Sequence, residues 1–95
     1  MNIAIVGATG NVGRKILEVL EKKNFKVDNL HLLASSKSLG SSLNFKGKDF
    51  KIELLDDFDF SKVDLTFFSA GGKISEKFAP KAAKNSIVVD NSSFF

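Results

Sequence analysis

The chain opens on a short apolar run that passes directly into three evenly spaced glycines and then into a helical pattern, and few folds accept that succession. Ile3, Ala4, Ile5 and Val6 are continuously apolar, as in a strand buried on both faces of a parallel sheet. Gly7, Gly10 and Gly13 follow at a G-x-x-G-x-x-G spacing, a longer variant of the common G-x-G-x-x-G. One glycine lets the chain turn sharply out of the strand, and one lets backbone N–H groups approach a phosphate without a Cβ in the way. The third lets the helix pack closely on the sheet. Val12, Ile16, Leu17, Val19 and Leu20 then recur at helical spacing, with Glu18 and Lys22 paired one turn apart, which predicts a helix over residues 11–23. Its N-terminus offers unpaired N–H groups and a partial positive charge to an anion. Asn24 stops it in a left-handed cap.

Downstream, residues 30–34 form a second apolar run of strand length, completing a β-α-β unit whose crossover is expected to be right-handed. The pattern then changes to alternation. Leu43 and Phe45, then Phe50, Ile52 and Leu54, flank Lys46-Gly47-Lys48-Asp49 and predict a hairpin. Residues 65–68 and 87–89 read as further strands. Between them, residues 74–84 read as a helix bent or restarted at Pro80 and capped by Asn85. Asp90-Asn91-Ser92-Ser93 leaves the last strand at the sheet edge where open parallel sheets bind ligands. The expected fold is therefore α/β, a Rossmann-like, mostly parallel sheet with flanking helices and a small hairpin insertion. Residues 1–95 form one dinucleotide-binding domain.

Composition removes several alternatives. The chain has no cysteine and one histidine, His31, so disulfides, thiolate chemistry and a histidine metal cluster within these residues are excluded. His31 lies inside a strand and is expected to be a packed or edge residue. Asp56-Asp57-Phe58-Asp59-Phe60 is expected to be a solvated loop with phenylalanines tucked beneath it. No apolar run reaches membrane-span length and no basic segment precedes an apolar one, so a cytoplasmic protein without a membrane partner is expected. The net charge of +3 comes from scattered lysines without aromatic interleaving, which argues against nucleic acid.

The cofactor follows from the end of the second strand. NAD sites of this fold carry an acidic residue there that accepts hydrogen bonds from the adenosine ribose. Here the chain continues as Ser35-Ser36-Lys37-Ser38, short hydroxyls and one cation. A 2′-phosphate would meet donors instead of a carboxylate, and charge-assisted hydrogen bonds contribute roughly 1.5–3 kcal/mol each, so NADP is expected.

Four segments in order resemble the N-terminal cofactor domain of the aspartate-semialdehyde dehydrogenases. They are Gly7-Ala8-Thr9-Gly10-Asn11-Val12-Gly13, then Leu33-Ala34-Ser35-Ser36-Lys37-Ser38-Leu39-Gly40, Phe67-Phe68-Ser69-Ala70-Gly71-Gly72, and Val88-Val89-Asp90-Asn91-Ser92-Ser93-Phe94-Phe95. The resemblance spans essentially the whole chain. It implies NADPH-dependent reductive dephosphorylation of L-aspartyl 4-phosphate to L-aspartate 4-semialdehyde, in the biosynthesis of lysine, threonine and methionine. In that family a cysteine thiolate forms a thioacyl enzyme, hydride comes from the nicotinamide, and a histidine acts as acid and base. Carried over, Thr9, Gly10, Asn11 and Val12 would hold the pyrophosphate. Lys37 and Ser38 would hold the 2′-phosphate, with Lys37 where many members have an arginine, so the charge is kept and the planar fork lost. Ser69, Ala70 and Gly71 would line the cofactor, and Asn91 and Ser92 would stand near the active-site floor. The family's phosphate-binding arginine, nucleophilic cysteine and histidine fall beyond Phe95. The chain is thus expected to be an incomplete cofactor domain, inactive alone, of an enzyme whose missing part supplies the catalytic residues and a homodimer interface. Uncovered apolar surface and self-association are expected with it. Two other readings stay open, an N-acetyl-glutamyl-phosphate reductase-like enzyme and a non-catalytic NADP(H)-binding module.

Overall fold

A computed structural model of the chain describes residues 1–91. The elements in order are β1 (Asn2–Val6), α1 (Asn11–Lys22), β2 (Asn29–Ala34), β3 (Ser42–Phe45), β4 (Lys48–Leu54), β5 (Leu65–Phe68), α2 (Gly72–Ala83) and β6 (Ile87–Asp90). Short 3-10 turns occupy Ser36–Ser38, Leu55–Asp57 and Phe60–Lys62.

The six strands form one sheet in the order β3-β4-β2-β1-β5-β6, parallel throughout except for the antiparallel β3–β4 pair. β1 lies in its middle, and Ile3, Ala4, Ile5 and Val6 are completely buried, as the unbroken apolar run requires. Successive side chains point to opposite faces. Ile3 and Ile5 therefore join Leu17, Leu20, Leu30 and Leu32 under α1, while Ala4 and Val6 join Leu33, Phe60, Phe68 and Phe78 under α2. The sheet thus separates two cores, one per helix layer. This is the Rossmann-like arrangement expected from the sequence.

Three local features differ from the sequence expectation or sharpen it. First, the hairpin is not set apart from the sheet. β4 pairs in parallel with β2, Leu32 opposite Ile52 and Ala34 opposite Leu54, so the hairpin extends the sheet and β3 becomes its edge. Second, α2 runs unbroken through Pro80 from Gly72. Pro80 is exposed, so the carbonyl it cannot serve faces water. Third, Asn85 does not take the left-handed conformation that ends α1 at Asn24, where φ is 51°. Ser86 closes α2 instead, donating from both its N–H and its Oγ to the Ala82 carbonyl at 2.8 Å each.

The β3–β4 turn shows how the local sequence sets register. Phe45 pairs with Lys48, leaving Lys46 and Gly47 as a two-residue loop with φ of 53° and 81°, the signature of a type I′ turn. Lys46 tolerates this because its Nζ donates to the Asn24 side chain and the Phe25 carbonyl. Gly47→Ala is expected to destabilise the fold by about 1–2 kcal/mol from backbone conformation alone, since nothing lies within 4 Å of a Cβ built there. Urea unfolding followed by circular dichroism checks this, and an unchanged midpoint would contradict the turn assignment.

Candidate functional site

Because β1, β2, β4 and β5 run the same way, the loops that follow them emerge at one edge of the sheet, where β6, parallel to β5, also ends. Gly7 leaves β1 with φ of 81°, a conformation costly for a side chain with a Cβ. Its N–H and that of Ala8 both donate to the Leu33 carbonyl, at 2.8 and 3.3 Å, which fastens the turn to β2. Gly13 is buried beneath the same turn. A Cβ there would stand 2.3 Å from the Gly7 carbonyl oxygen and 2.8 Å from the Ala8 Cα. Gly7 in turn faces the loop after β5, since a Cβ on it would lie 2.8 Å from the Ala70 Cβ. These two glycines therefore serve packing, and Gly10 is the glycine left at the surface.

Gly10 caps α1 in extended conformation with no side-chain cap, and the first turn of α1 contains no acidic residue. The N–H groups of Asn11, Val12 and Gly13 consequently lack partners within the helix. The positive end of α1 is directed out of the loop with no carboxylate competing for it. Arg14 braces the loop from outside, its Nε donating to the Thr9 carbonyl at 3.0 Å.

A cleft of about 460 Å³ opens beside this loop on the α2 side of the sheet. Gly7 and Thr9 line it from the β1 turn, Ala34, Ser35 and Ser38 from the end of β2, Leu55 and Asp56 from the end of β4, and Ala70 and Ile74 from β5 and α2. The volume falls within the range of small-ligand and cofactor sites. Thr9 and Ser38 join its two rims through an Oγ–Oγ hydrogen bond of 3.2 Å. Ser69 holds the β5 side in place, its Oγ donating to the Val6 carbonyl at 2.7 Å and its N–H to the same oxygen at 2.9 Å.

The candidate residues thus divide. Gly7, Thr9, Ser35, Ser38 and Ala70 meet at the cleft. Gly10 and Gly71 border it in sequence, while Gly13 and Ser69 act beneath it. Lys37 is exposed on the Ser36–Ser38 turn and is not among the lining residues. Asn11, Val12 and Asn91 line a second, apolar cleft of about 560 Å³ on the α1 side, with Ile16, Val19 and Phe67. Its apolar wall continues over β6, where Ile87 and Val89 are 67% and 37% exposed. Ser92 lies outside the described residues. His31 takes no part, since its Nδ1 meets Glu53 Oε2 at 2.7 Å and its ring lies against Phe58. Among the described residues no group of acidic, histidine or cysteine side chains could hold a metal ion, and no helix is long and apolar enough to cross a membrane.

The sequence reading missed Ala34, Leu55, Asp56 and Ile74. The Asp56 loop is solvated, with Phe60 buried under it as expected, yet one of its carboxylates borders the cleft. The signal was the loop's place after a strand that pairs with β2, which only the tertiary arrangement reveals.

A glycine turn between a central parallel strand and a helix N-terminus, opening on a cleft at the carboxyl edge of the sheet, defines a dinucleotide-binding α/β domain. Comparison with known proteins specifies it further. The family model for the semialdehyde dehydrogenase NAD-binding domain matches residues 2–95, and the chain belongs to that family. An aspartate-semialdehyde dehydrogenase of Legionella pneumophila is 52% identical over all of the chain, and one of Aquifex aeolicus is 53% identical over 96% of it. The crystal structure of aspartate semialdehyde dehydrogenase II from Vibrio cholerae superposes with a TM-score of 0.92 at 48% identity, over 99% of this chain and 28% of that one. A probable aspartate-semialdehyde dehydrogenase from Pseudomonas aeruginosa superposes at 0.94 with 38% identity, over all of this chain and 29% of that one. The chain spans about 28% of the length of curated relatives such as that of Legionella pneumophila.

The glycine roles can be separated experimentally. Gly13→Ala is expected to destabilise the fold by about 3 kcal/mol, because backbone must move to admit the methyl group. Gly10→Ala meets only an ordinary contact, 3.5 Å from the Gly7 oxygen, and is expected to cost about 1 kcal/mol as a poorer helix cap. Equal losses in urea unfolding would contradict this division.

Proposed function

We propose that this chain is the NADP(H)-binding part of an aspartate-semialdehyde dehydrogenase, the oxidoreductase that reductively dephosphorylates L-aspartyl 4-phosphate to L-aspartate 4-semialdehyde. The observation that carries the reading is the lined cleft between the glycine turn and the Ser35–Ser38 segment, in a chain whose relatives bear that enzyme's name. The site fits a dinucleotide in shape and charge. The turn and helix are pressed together without a Cβ, the surface of the loop stays open at Gly10, and a helix N-terminus is free of acidic neighbours.

In this reading the backbone of Thr9, Gly10, Asn11 and Val12 holds the pyrophosphate. Ser35 and Ser38 offer hydroxyls to the ribose 2′-phosphate, and Lys37, on its exposed turn, adds charge from outside the cleft. Ala70 and Gly71 line the path towards the nicotinamide, whose chemistry is to give or take a hydride. Asn91, at the carboxyl end of β6 and on the wall of the second cleft, stands beside the route towards the substrate. The chain holds no cysteine and its histidine is paired with Glu53, so the thiolate and the acid–base group come from the remainder of the enzyme. That enzyme is a cytoplasmic homodimer, and its part in biosynthesis of lysine, threonine and methionine follows from the reaction.

Calorimetric titration tests the cofactor assignment. NADP+ is expected to bind more tightly than NAD+, and Lys37→Ala to cost NADP+ about tenfold in affinity while leaving NAD+ within about twofold. The difference should shrink as salt is raised. Equal binding of the two cofactors, or a Lys37→Ala loss shared by both, would contradict the 2′-phosphate assignment.

A further inference from the structure

We propose that Asp56 is the residue by which this domain selects adenine, its carboxylate accepting a hydrogen bond from the exocyclic amino group of the base. The inference rests on the dinucleotide-binding reading above and assigns the far end of the same cleft. Three neighbouring parallel strands set the order of the parts. β1 leads into the glycine turn, β2 beside it leads into Ser35, and β4 beyond that leads into Leu55 and Asp56. Neighbouring strands lie about 4.8 Å apart. A pyrophosphate over the end of β1 therefore puts the ribose over the end of β2 and the base over the end of β4.

What the cleft offers at that outer position suits a flat heterocycle. Ala34 and Leu55, both buried, supply apolar lining at the β2 and β4 end of the cleft, away from Ala70 and Ile74 on the β5 and α2 side. Among the described residues, Asp56 is the only ionisable one lining the cleft. An ionised carboxylate accepts hydrogen bonds and donates none, so it favours a base with an amino group facing it and opposes one with a carbonyl. It stands one strand beyond the position where an acidic residue would meet the ribose hydroxyls, which leaves the 2′-phosphate to the Ser35–Ser38 segment. The loop that carries it is fixed from below, since Phe58 lies against the His31 ring and Phe60 packs on Phe68.

The test is calorimetric titration of the chain with NADP+ and with nicotinamide hypoxanthine dinucleotide phosphate, in which a carbonyl replaces the exocyclic amino group and the neighbouring ring nitrogen carries a hydrogen. The wild-type chain is expected to bind NADP+ about tenfold more tightly than the hypoxanthine analogue. Asp56→Ala is expected to reduce that ratio to within about threefold, and Asp56→Asn, whose amide can donate to a carbonyl, to abolish or invert it. A role confined to holding the loop would weaken both ligands alike and leave the ratio unchanged, and that result overturns the proposal. So does equal binding of the two ligands by the wild-type chain, or an Asp56→Ala variant that gains affinity for NADP+ with its base preference intact, which would place the carboxylate against the 2′-phosphate. If the folded wild-type chain binds neither dinucleotide, the cofactor reading itself fails and the Asp56 assignment falls with it.

Discussion

One glycine seated on another holds the N-terminal half of this domain together. Gly13, on the first turn of α1, lies so close to the Gly7 carbonyl that no Cβ fits between them. This contact sets the angle at which α1 leaves the sheet. The Leu33 carbonyl, accepting from Gly7 and Ala8, fixes the same turn to β2. With strand, turn and helix fastened in this way, the first free N–H groups of α1 can point only out of the loop. The hydrophobic effect supplies most of the driving force, through β1 and the two cores on either side of it. The glycine contact decides where that force places the helix.

The parallel sheet then does the rest of the positioning. The carboxyl ends of β1, β2, β4 and β5 deliver their loops to one edge, so a turn from β1, a hydroxyl-rich segment from β2, a carboxylate from β4 and a Ser-Ala-Gly loop from β5 meet without any long-range design in the loops themselves. The two sheet edges are treated differently. On one side β3 covers β4, and at four residues this edge strand is short enough to limit unwanted pairing. On the other, β6 leaves Ile87 and Val89 bare on the α1 side, continuous with the apolar cleft beside α1. A surface of this kind is the expected place for burial against more polypeptide.

Much of this was legible in the sequence because local physics determined it. The unbroken Ile3–Val6 run, the glycine spacing, the α1 periodicity and Asn24 each carry their own cause, and each is found where expected. The alternation around Lys46-Gly47 likewise announced a hairpin. What escaped was set by tertiary choice. Nothing in the alternation of β4 says that it will lie beside β2, so the hairpin read as an insertion and Asp56 as a surface residue. The end of α2 was misassigned to Asn85 because a serine that reaches back to Ala82 carries no periodic signal. Lys37 was correctly placed after β2, yet the 3-10 turn there carries it outside the cleft it was expected to line.

The central claim is that the glycine turn and the cleft beside it form a dinucleotide site, and nuclear magnetic resonance titration of the 15N-labelled chain with NADP+ tests it residue by residue. Saturable shifts are expected in the amides of Thr9, Gly10, Asn11, Val12 and Gly13, together with Ser35, Ser38, Asp56 and Ala70, while the hairpin turn at Lys46 and Gly47 stays unmoved. Shifts confined to the lysine-bearing surface of the hairpin, or a folded spectrum unchanged at saturating NADP+, would contradict the account.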